Sequence, residues 1–318
     1  MTDEKICAIV GCGLIGRAWA IDFARGGWTV RLFDPVDGAV EAALSTIDRL
    51  LSDLVDNGLL DAAAEEEARS RLEPVPRLEA ALPGAAWVQE NAPERLELKR
   101  ELWRELDRLA PAEAVLASST SAILPSRFTE DLPGRARCLV AHPLNPPYLI
   151  PAVELCPAPW TSMETILSAE EVMRGLGHSI IRMTREIDGF VMNRLQAALV
   201  EEAFKLVAEG ICTAEEIDIG LRDGLALRWC FAGPFEVGDL NAPGGIRDYV
   251  VRYRSVFDSV LKSALPRPDW TGPVLDEIER SRRLRLLAEE IAHRQRWRDR
   301  RLMALLRHKK EASATIGD

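Results

Sequence analysis

The sequence predicts an α/β fold, with a doubly wound, mainly parallel sheet over residues 1–187 and an all-α domain over 188–318. Three observations predict it. Near the start, an apolar stretch runs straight into a glycine-rich turn and then a helical pattern. Strands and helices alternate through the first half. Beyond residue 187 the apolar periodicity is helical almost without a break.

Residues 6–10 read as a short apolar strand, followed by Gly11, Cys12, Gly13, Leu14, Ile15 and Gly16 and a helix that stops at Gly26 and Gly27. A second strand over 29–33 ends in Asp34, 18 residues after Gly16. Strand, glycine turn, helix, strand and acid in this order form the signature of a Rossmann-type dinucleotide site. The glycines let the backbone approach a pyrophosphate at the positive end of the helix, and Asp34 meets ribose hydroxyls. Pro35 and Val36 follow, with no arginine to receive a 2′-phosphate, so NAD is expected rather than NADP.

Residues 37–72 look helical and acidic. Strands are expected at 85–88, 114–117, 137–141 and 179–183, with a helix carrying Leu96, Leu98, Leu102, Trp103 and Leu106 between the first two. Ligands of such sheets bind outside the carboxyl ends of the strands. That places the glycine turn, Glu94, the run Ser118-Ser119-Thr120-Ser121 and His142 along one edge. Residues 186–190 read as a hinge. Residues 190–208 then read as one helix with Val191, Leu195, Ala198, Leu199 and Ala203 as its core stripe.

A length of 318 residues fits about two domains. Hydrophobic content of 47% and charged content of 28% are those of an ordinary globular chain. A net charge of −10, from 40 basic and 50 acidic residues, argues against nucleic acid as partner. Six cysteines stand at 7, 12, 138, 156, 212 and 230 with no C-x-x-C pair, so reduced thiols and no metal site are expected. The charged N-terminus lacks a leader pattern, and no apolar run approaches the ~18 residues of a membrane helix. A cytoplasmic location without membrane contact is the expectation.

Only four histidines occur. His142 opens His142-Pro143-Leu144-Asn145-Pro146-Pro147, and Glu154 follows at the end of an apolar stretch, twelve residues after His142. Histidine suits proton transfer near neutral pH, and a carboxylate on its second nitrogen fixes the tautomer. Alone, such a pair also fits a structural histidine near a strand-end acid. Its position beside the dinucleotide motif favours a general base.

Together GCGLIG, SSTS, HPLNPPYLIPAVE, EIDGFVMNRLQ and GLALRWCFAGP resemble the 3-hydroxyacyl-CoA dehydrogenase family, and within it the branch of lambda-crystallin and L-gulonate 3-dehydrogenase. The resemblance covers nearly the whole chain. It implies that Ser121, His142, Glu154 and Asn193 are catalytic, that Glu94 and Lys99 line the NAD site, and that the helical domain pairs two subunits as a homodimer. Ser121 and Asn193 would hold the substrate oxygen while His142 takes the hydroxyl proton. Other roles stay open at this point. Residues 119–121 fit a helix cap, Asn193 a structural bond, Asn145 a loop brace and Lys99 a solvated helix position.

Arg228, within Leu225-Ala226-Leu227-Arg228-Trp229-Cys230-Phe231, is expected among apolar and aromatic neighbours. It fits a clamp on a free substrate carboxylate or an ion pair with Glu236 or Asp239. A free 3-hydroxy acid such as L-gulonate carries that carboxylate, whereas a CoA thioester does not. L-Carnitine and 3-hydroxybutyryl-CoA remain alternative substrates, and a non-catalytic, crystallin-like NAD-binding role is the alternative of another class. Residues 280–310 hold 12 Lys or Arg against 3 acids, and read as a basic helix packed on the domain or on a second copy.

Overall fold

A computed structural model describes residues 5–262, 265–266, 269–270 and 272–317. The chain folds as two units. One comprises the residues up to Asn193 together with those from Gln295 onward, and the other spans Arg194–Arg294.

The first unit is built on eight strands: β1 (Ile6–Val10), β2 (Thr29–Phe33), β3 (Leu72–Pro74), β4 (Ala85–Glu90), β5 (Val115–Ser118), β6 (Cys138–Pro143), β7 (Ala152–Pro157) and β8 (Ser179–Arg182). Their order in the sheet is β3-β2-β1-β4-β5-β6-β7-β8. Every pair is parallel except β6 with β7. The chain order reverses between β1 and β4, which opens the crevice where doubly wound sheets bind ligands. The helices of this unit up to residue 175 are α1 (Leu14–Arg25), α2 (Ala39–Asp56), α3 (Ala62–Ser70), α4 (Leu78–Ala81), α5 (Leu96–Leu109), α6 (Ser126–Thr129) and α7 (Met163–Gly175).

Both faces of the sheet are covered, as the apolar runs require. Cys7 and Ile9 of β1 join Trp19 and Phe23 of α1 and Leu51 and Leu54 of α2 in one core. Ala8 and Val10, pointing the other way by strand alternation, join Trp103 and Leu106 of α5 in a second. The doubly wound, mainly parallel expectation is met. Two strands depart from the sequence pattern. β3 is a three-residue edge strand, too short to show a period. The apolar stretch that Glu154 closes in sequence continues as β7, so Glu154 lies inside the strand rather than at its end.

Helix α8 (Met192–Ala208) starts two residues later than the periodicity suggests, because Phe190 takes a left-handed conformation, with φ of 51°. Its expected core stripe is not buried: Val191, Leu195 and Leu199 are exposed. The second unit continues with α9 (Ala214–Ile219), α10 (Ala226–Trp229), α11 (Pro234–Leu240), α12 (Gly245–Lys262) and α13 (Pro273–Arg283). Within α9 a capping box joins Thr213 and Glu216 reciprocally. Arg282 and Arg285 pair with Glu215, tying α13 and the turn after it to α9. Much of this unit's apolar surface is exposed, including Val250, Val251, Phe257 and Leu261 on α12 and Phe235 at 82%.

The basic stretch is two helices rather than one. Helix α14 (Ile291–Ile316) carries Met303, which is 1% exposed within the core of the first unit, with Leu302 and Leu306 packed beside it. Arg300 lies 3.9 Å from Asp53 of α2. The anchor is apolar and the basic residues face outward, so this helix docks on its own chain by burial and not by charge. Among the described residues, no helix is long and apolar enough to cross a membrane, and no group of three or more His, Cys, Asp or Glu is placed to hold a metal ion.

Met303→Ala is expected to lower the stability of the first unit by about 2–5 kcal/mol, the usual cost of emptying a methionine site in a core. Urea unfolding followed by the fluorescence of the core tryptophans measures it. A change under ~0.5 kcal/mol would mean the helix is not anchored there.

Candidate active site

The glycine turn is shaped by steric exclusion at two positions. Gly11 has φ of 92°, and a Cβ there would meet the Asn91 backbone at 3.0 Å. A Cβ on Gly16 would stand 1.8 Å from the Gly11 carbonyl oxygen. The chain thus folds tightly against itself where α1 begins. No side chain caps α1, and its first turn holds no acid, so its N-terminal N–H groups and positive end remain available to an anion. Gly13 has open space around it and Leu14 is exposed. At the end of β2, Asp34 accepts the Cys12 N–H at 2.8 Å on one oxygen and the Val36 N–H at 2.9 Å on the other. A bare turn, an uncapped helix and a fixed carboxylate at the switch point suit the pyrophosphate and ribose of a dinucleotide. Burial, reinforced by Asp34, pushes the Cys12 thiol up to about 12, so this thiol stays protonated at neutral pH and is not a nucleophile.

Beneath the turn lies a buried polar hub. Ser119 Oγ accepts from Trp19 Nε1 at 3.0 Å and from Gln89 Nε2 at 2.7 Å, and donates to Asn91 Oδ1 at 2.7 Å. Asn91 packs against Gly11 and Gly16. The hub therefore couples the glycine turn to the segment that carries Ser121.

Lys99 was expected to line the cofactor site. Instead it is 1% exposed, and its ammonium donates to Glu90 at 2.8 and 3.0 Å and to the Ala92 carbonyl at 3.3 Å. Glu90 also accepts from Trp103 Nε1 at 3.1 Å, Ser118 Oγ at 2.6 Å and the Ala92 N–H at 2.6 Å. Its ammonium is bonded to Glu90, Ala92 and Ser118, so it braces the chain after β4. Its partner Glu90 has no sequence signal, because one acid following Gln89 at the end of the short apolar run Ala-Ala-Trp-Val leaves no periodicity.

Glu94 stands at the crevice and grips the next loop. Its oxygens accept from Thr120 Oγ1 at 2.7 Å and from the Ser121 N–H at 2.6 Å. Asn193 Nδ2 donates to the Ser121 carbonyl at 2.7 Å. Ser121 is thus held through its own backbone from both sides, while among the described residues its hydroxyl and the Asn193 oxygen have no protein partner.

His142 sits at the end of β6 and pairs across the antiparallel ladder with Glu154 of β7. Nδ1 lies 2.6 Å from Glu154 Oε2, with the histidine 3% exposed and the acid fully buried. An ionised carboxylate only accepts, so Nδ1 carries the hydrogen and Nε2 keeps its lone pair. Among the described residues Nε2 has no protein partner. Glu154 Oε1 accepts the N–H groups of Val191 and Met192 at 2.6 and 2.8 Å. Phe190, whose ring centroid is 5.4 Å from that of His142, holds its left-handed backbone at a cost of about 1–3 kcal/mol.

Asn145, read from sequence as a possible brace, has a buried side-chain oxygen with no partner. A buried acceptor without a protein donor, three residues from the histidine, is a position for a donor from water or a ligand. Arg228 belongs to the second unit. It is exposed there rather than embedded, and among the described residues it forms no ion pair with Glu236 or Asp239.

A dinucleotide crevice beside a carboxylate-oriented histidine defines an NAD-dependent oxidoreductase that acts on a CH–OH group. Residues 6–187 match the model of the 3-hydroxyacyl-CoA dehydrogenase NAD binding domain, and residues 189–278 match that of the 3-hydroxyacyl-CoA dehydrogenase C-terminal domain. The chain belongs to the 3-hydroxyacyl-CoA dehydrogenase family. It is 40% identical to lambda-crystallin of Oryctolagus cuniculus, over 95% of this chain and 96% of that one. It is 35% identical to L-carnitine dehydrogenase of Pseudomonas putida, over 100% of this chain and 98% of that protein. Among solved structures it resembles 5-formyl-3-hydroxy-2-methylpyridine 4-carboxylic acid 5-dehydrogenase, an NAD+-dependent dismutase. That match has a TM-score of 0.80 and 27% identity, and covers 96% and 98% of the two chains.

Lys99→Met strands the Glu90 carboxylate in the core and is expected to cost about 3–5 kcal/mol. Adding Glu90→Gln removes the uncompensated charge and should restore much of the loss. A double-mutant cycle in denaturant reads the coupling. Independent, additive effects would show that the pair is not the brace.

Proposed function

We propose that this chain oxidises the 3-hydroxyl of a small 3-hydroxy acid, L-gulonate to 3-dehydro-L-gulonate, with His142 as general base. One observation carries the reading: the 2.6 Å contact between His142 Nδ1 and Glu154 fixes the tautomer that leaves Nε2 free to accept a proton.

His142 Nε2 takes the hydroxyl proton, and Glu154 stabilises the imidazolium that results. The Ser121 hydroxyl and the second N–H of the Asn193 amide donate to the reacting oxygen, with the Ser121 loop held by Glu94 and by the first Asn193 N–H on the Ser121 carbonyl. NAD, when bound, supplies the acceptor for the hydride leaving the substrate carbon. Gly11, Gly13, Leu14, Ile15 and Gly16 hold its pyrophosphate, Asp34 its adenosine ribose, and the Asn145 oxygen accepts from a ligand donor. Glu94 stays at the edge of the cofactor site, acting through Ser121.

Arg228 selects the substrate in this reading. An exposed guanidinium with no ion pair among the described residues is available to a carboxylate, and a free carboxylate separates gulonate from a CoA thioester. The name of the dismutase relative specifies a carboxylic acid. A second reading, L-carnitine, is favoured by the end-to-end match to L-carnitine dehydrogenase and by Trp229 and Phe231, exposed beside Arg228 in sequence, as walls for a quaternary ammonium. Residues 194–294 serve substrate choice and subunit pairing. The exposed apolar residues of α12 support a homodimer.

Initial rates of NADH formation with L-gulonate, L-carnitine and 3-hydroxybutyryl-CoA test the substrate. Gulonate is lost as the substrate if it gives no NADH while another does. NADH binding without oxidation of any of the three would favour a non-catalytic role. His142→Gln should leave NADH affinity intact and cut turnover by ~10²–10⁴-fold, as for a lost general base. Near wild-type turnover would remove His142 from that role. Arg228→Met should raise KM for the carboxylate substrate and leave that for NAD unchanged. An unchanged substrate KM would return Arg228 to a structural role.

A further inference from the structure

Among the described residues Phe190 is the one non-glycine with a left-handed backbone, and it follows Gly189, whose φ is 76°. Phenylalanine is a poor choice for that region, since its Cβ crowds the carbonyl. The conformation persists because the ring is fully buried in the second core, with Val140, Cys156 and Met183. A bulky residue held against its preference beside a catalytic candidate calls for a reason.

Two consequences of the turn reach the histidine. The reversed backbone directs the next two N–H groups, those of Val191 and Met192, onto Glu154 Oε1. With that oxygen anchored, the carboxylate cannot rotate about its last bond, and Oε2 stays on His142 Nδ1 at 2.6 Å. A regular helical residue at 190 would send those donors elsewhere. The ring itself lies against His142, with centroids 5.4 Å apart and planes at 48°. It limits tilting of the imidazole and gives the developing imidazolium an aromatic neighbour within cation–π range.

Resting on the general-base reading, we infer that Phe190 is a positioning residue for proton transfer, acting through Glu154 and His142 rather than on substrate or cofactor. It differs from an ordinary core residue in its expected kinetic signature.

The test uses the full-length enzyme with the hydroxy acid it turns over and with NADH as binding probe. Phe190→Leu keeps most of the buried volume and removes the ring face. It is expected to lower kcat by about 10- to 100-fold, as a small misplacement of a catalytic group does. The KM for the hydroxy acid and the Kd for NADH should stay within about twofold, within the scatter of surface changes. The solvent deuterium isotope effect on kcat should rise, because proton transfer becomes the slow step. Wild-type kcat in a variant that binds NADH normally overturns the proposal. A fall in kcat with parallel weakening of NADH and substrate also overturns it, assigning Phe190 to packing alone. If Phe190→Leu does not fold, Phe190→Met is judged by the same criteria. His142→Gln, run alongside, separates the two readings. An active His142→Gln defeats the base itself, whereas an inactive His142→Gln with a fully active Phe190→Leu defeats only the positioning role.

Discussion

The carboxylate of Glu154 is the constraint on which the site depends. It lies in the sheet with no exposed surface and satisfies three donors: the imidazole and the first two N–H groups entering α8. A buried carboxylate is tolerated only when its lone pairs are so occupied. The β6–β7 pair makes this possible, since antiparallel residues directly opposite share a face. His142 and Glu154 are register partners there, brought together across a short loop. A slip of one residue would send the acid to the other face of the sheet. The antiparallel exception in an otherwise parallel sheet is therefore what brings the pair together.

A second polar layer underlies the first. Glu90, Lys99, Trp103 and Ser118 close one satisfied network, and Ser119 joins Trp19, Gln89 and Asn91 in another. Each contains side chains that would be costly to bury alone, and each connects the end of β4 to the end of β5. The glycine turn rests on Asn91 and the Ser121 loop on Glu94, so the two halves of the crevice share one frame. Such fully bonded networks fix geometry more sharply than apolar packing does. That suits a site in which a hydroxyl, an amide and an imidazole must meet one small substrate.

Local signals made much of this legible in the sequence. The GCGLIG turn, Asp34 and the alternation of strands and helices follow short-range rules, and the sheet obeys them. His142 and Glu154 stood out because histidine is scarce and the acid closes an apolar run. What escaped depends on contacts distant in sequence. Lys99 shows no sign of burial, since its partner Glu90 lies on a neighbouring element. Asn145 is polar in a proline-rich loop, and only the fold shows its oxygen stranded. Phe190 reads as the first turn of a helix, yet tertiary packing holds it left-handed. Arg228 looked embedded because its sequence neighbours are apolar, but on a short helix those neighbours point in several directions.

Helix α14 returns to pack Met303 in the first unit, so residues 194–294 interrupt that unit instead of following it. The nucleotide-binding core is discontinuous along the chain. Met303, the last buried side chain among the described residues, emerges from synthesis only after the whole second unit, more than a hundred residues beyond the hinge at 186–190. Until then the surface of α2 beneath it stays open to water and to other chains. Completion of the core therefore awaits Met303, which makes these contacts long-range and slow to form relative to the sheet. The two units are two compact bodies in space but one interlocked path in time.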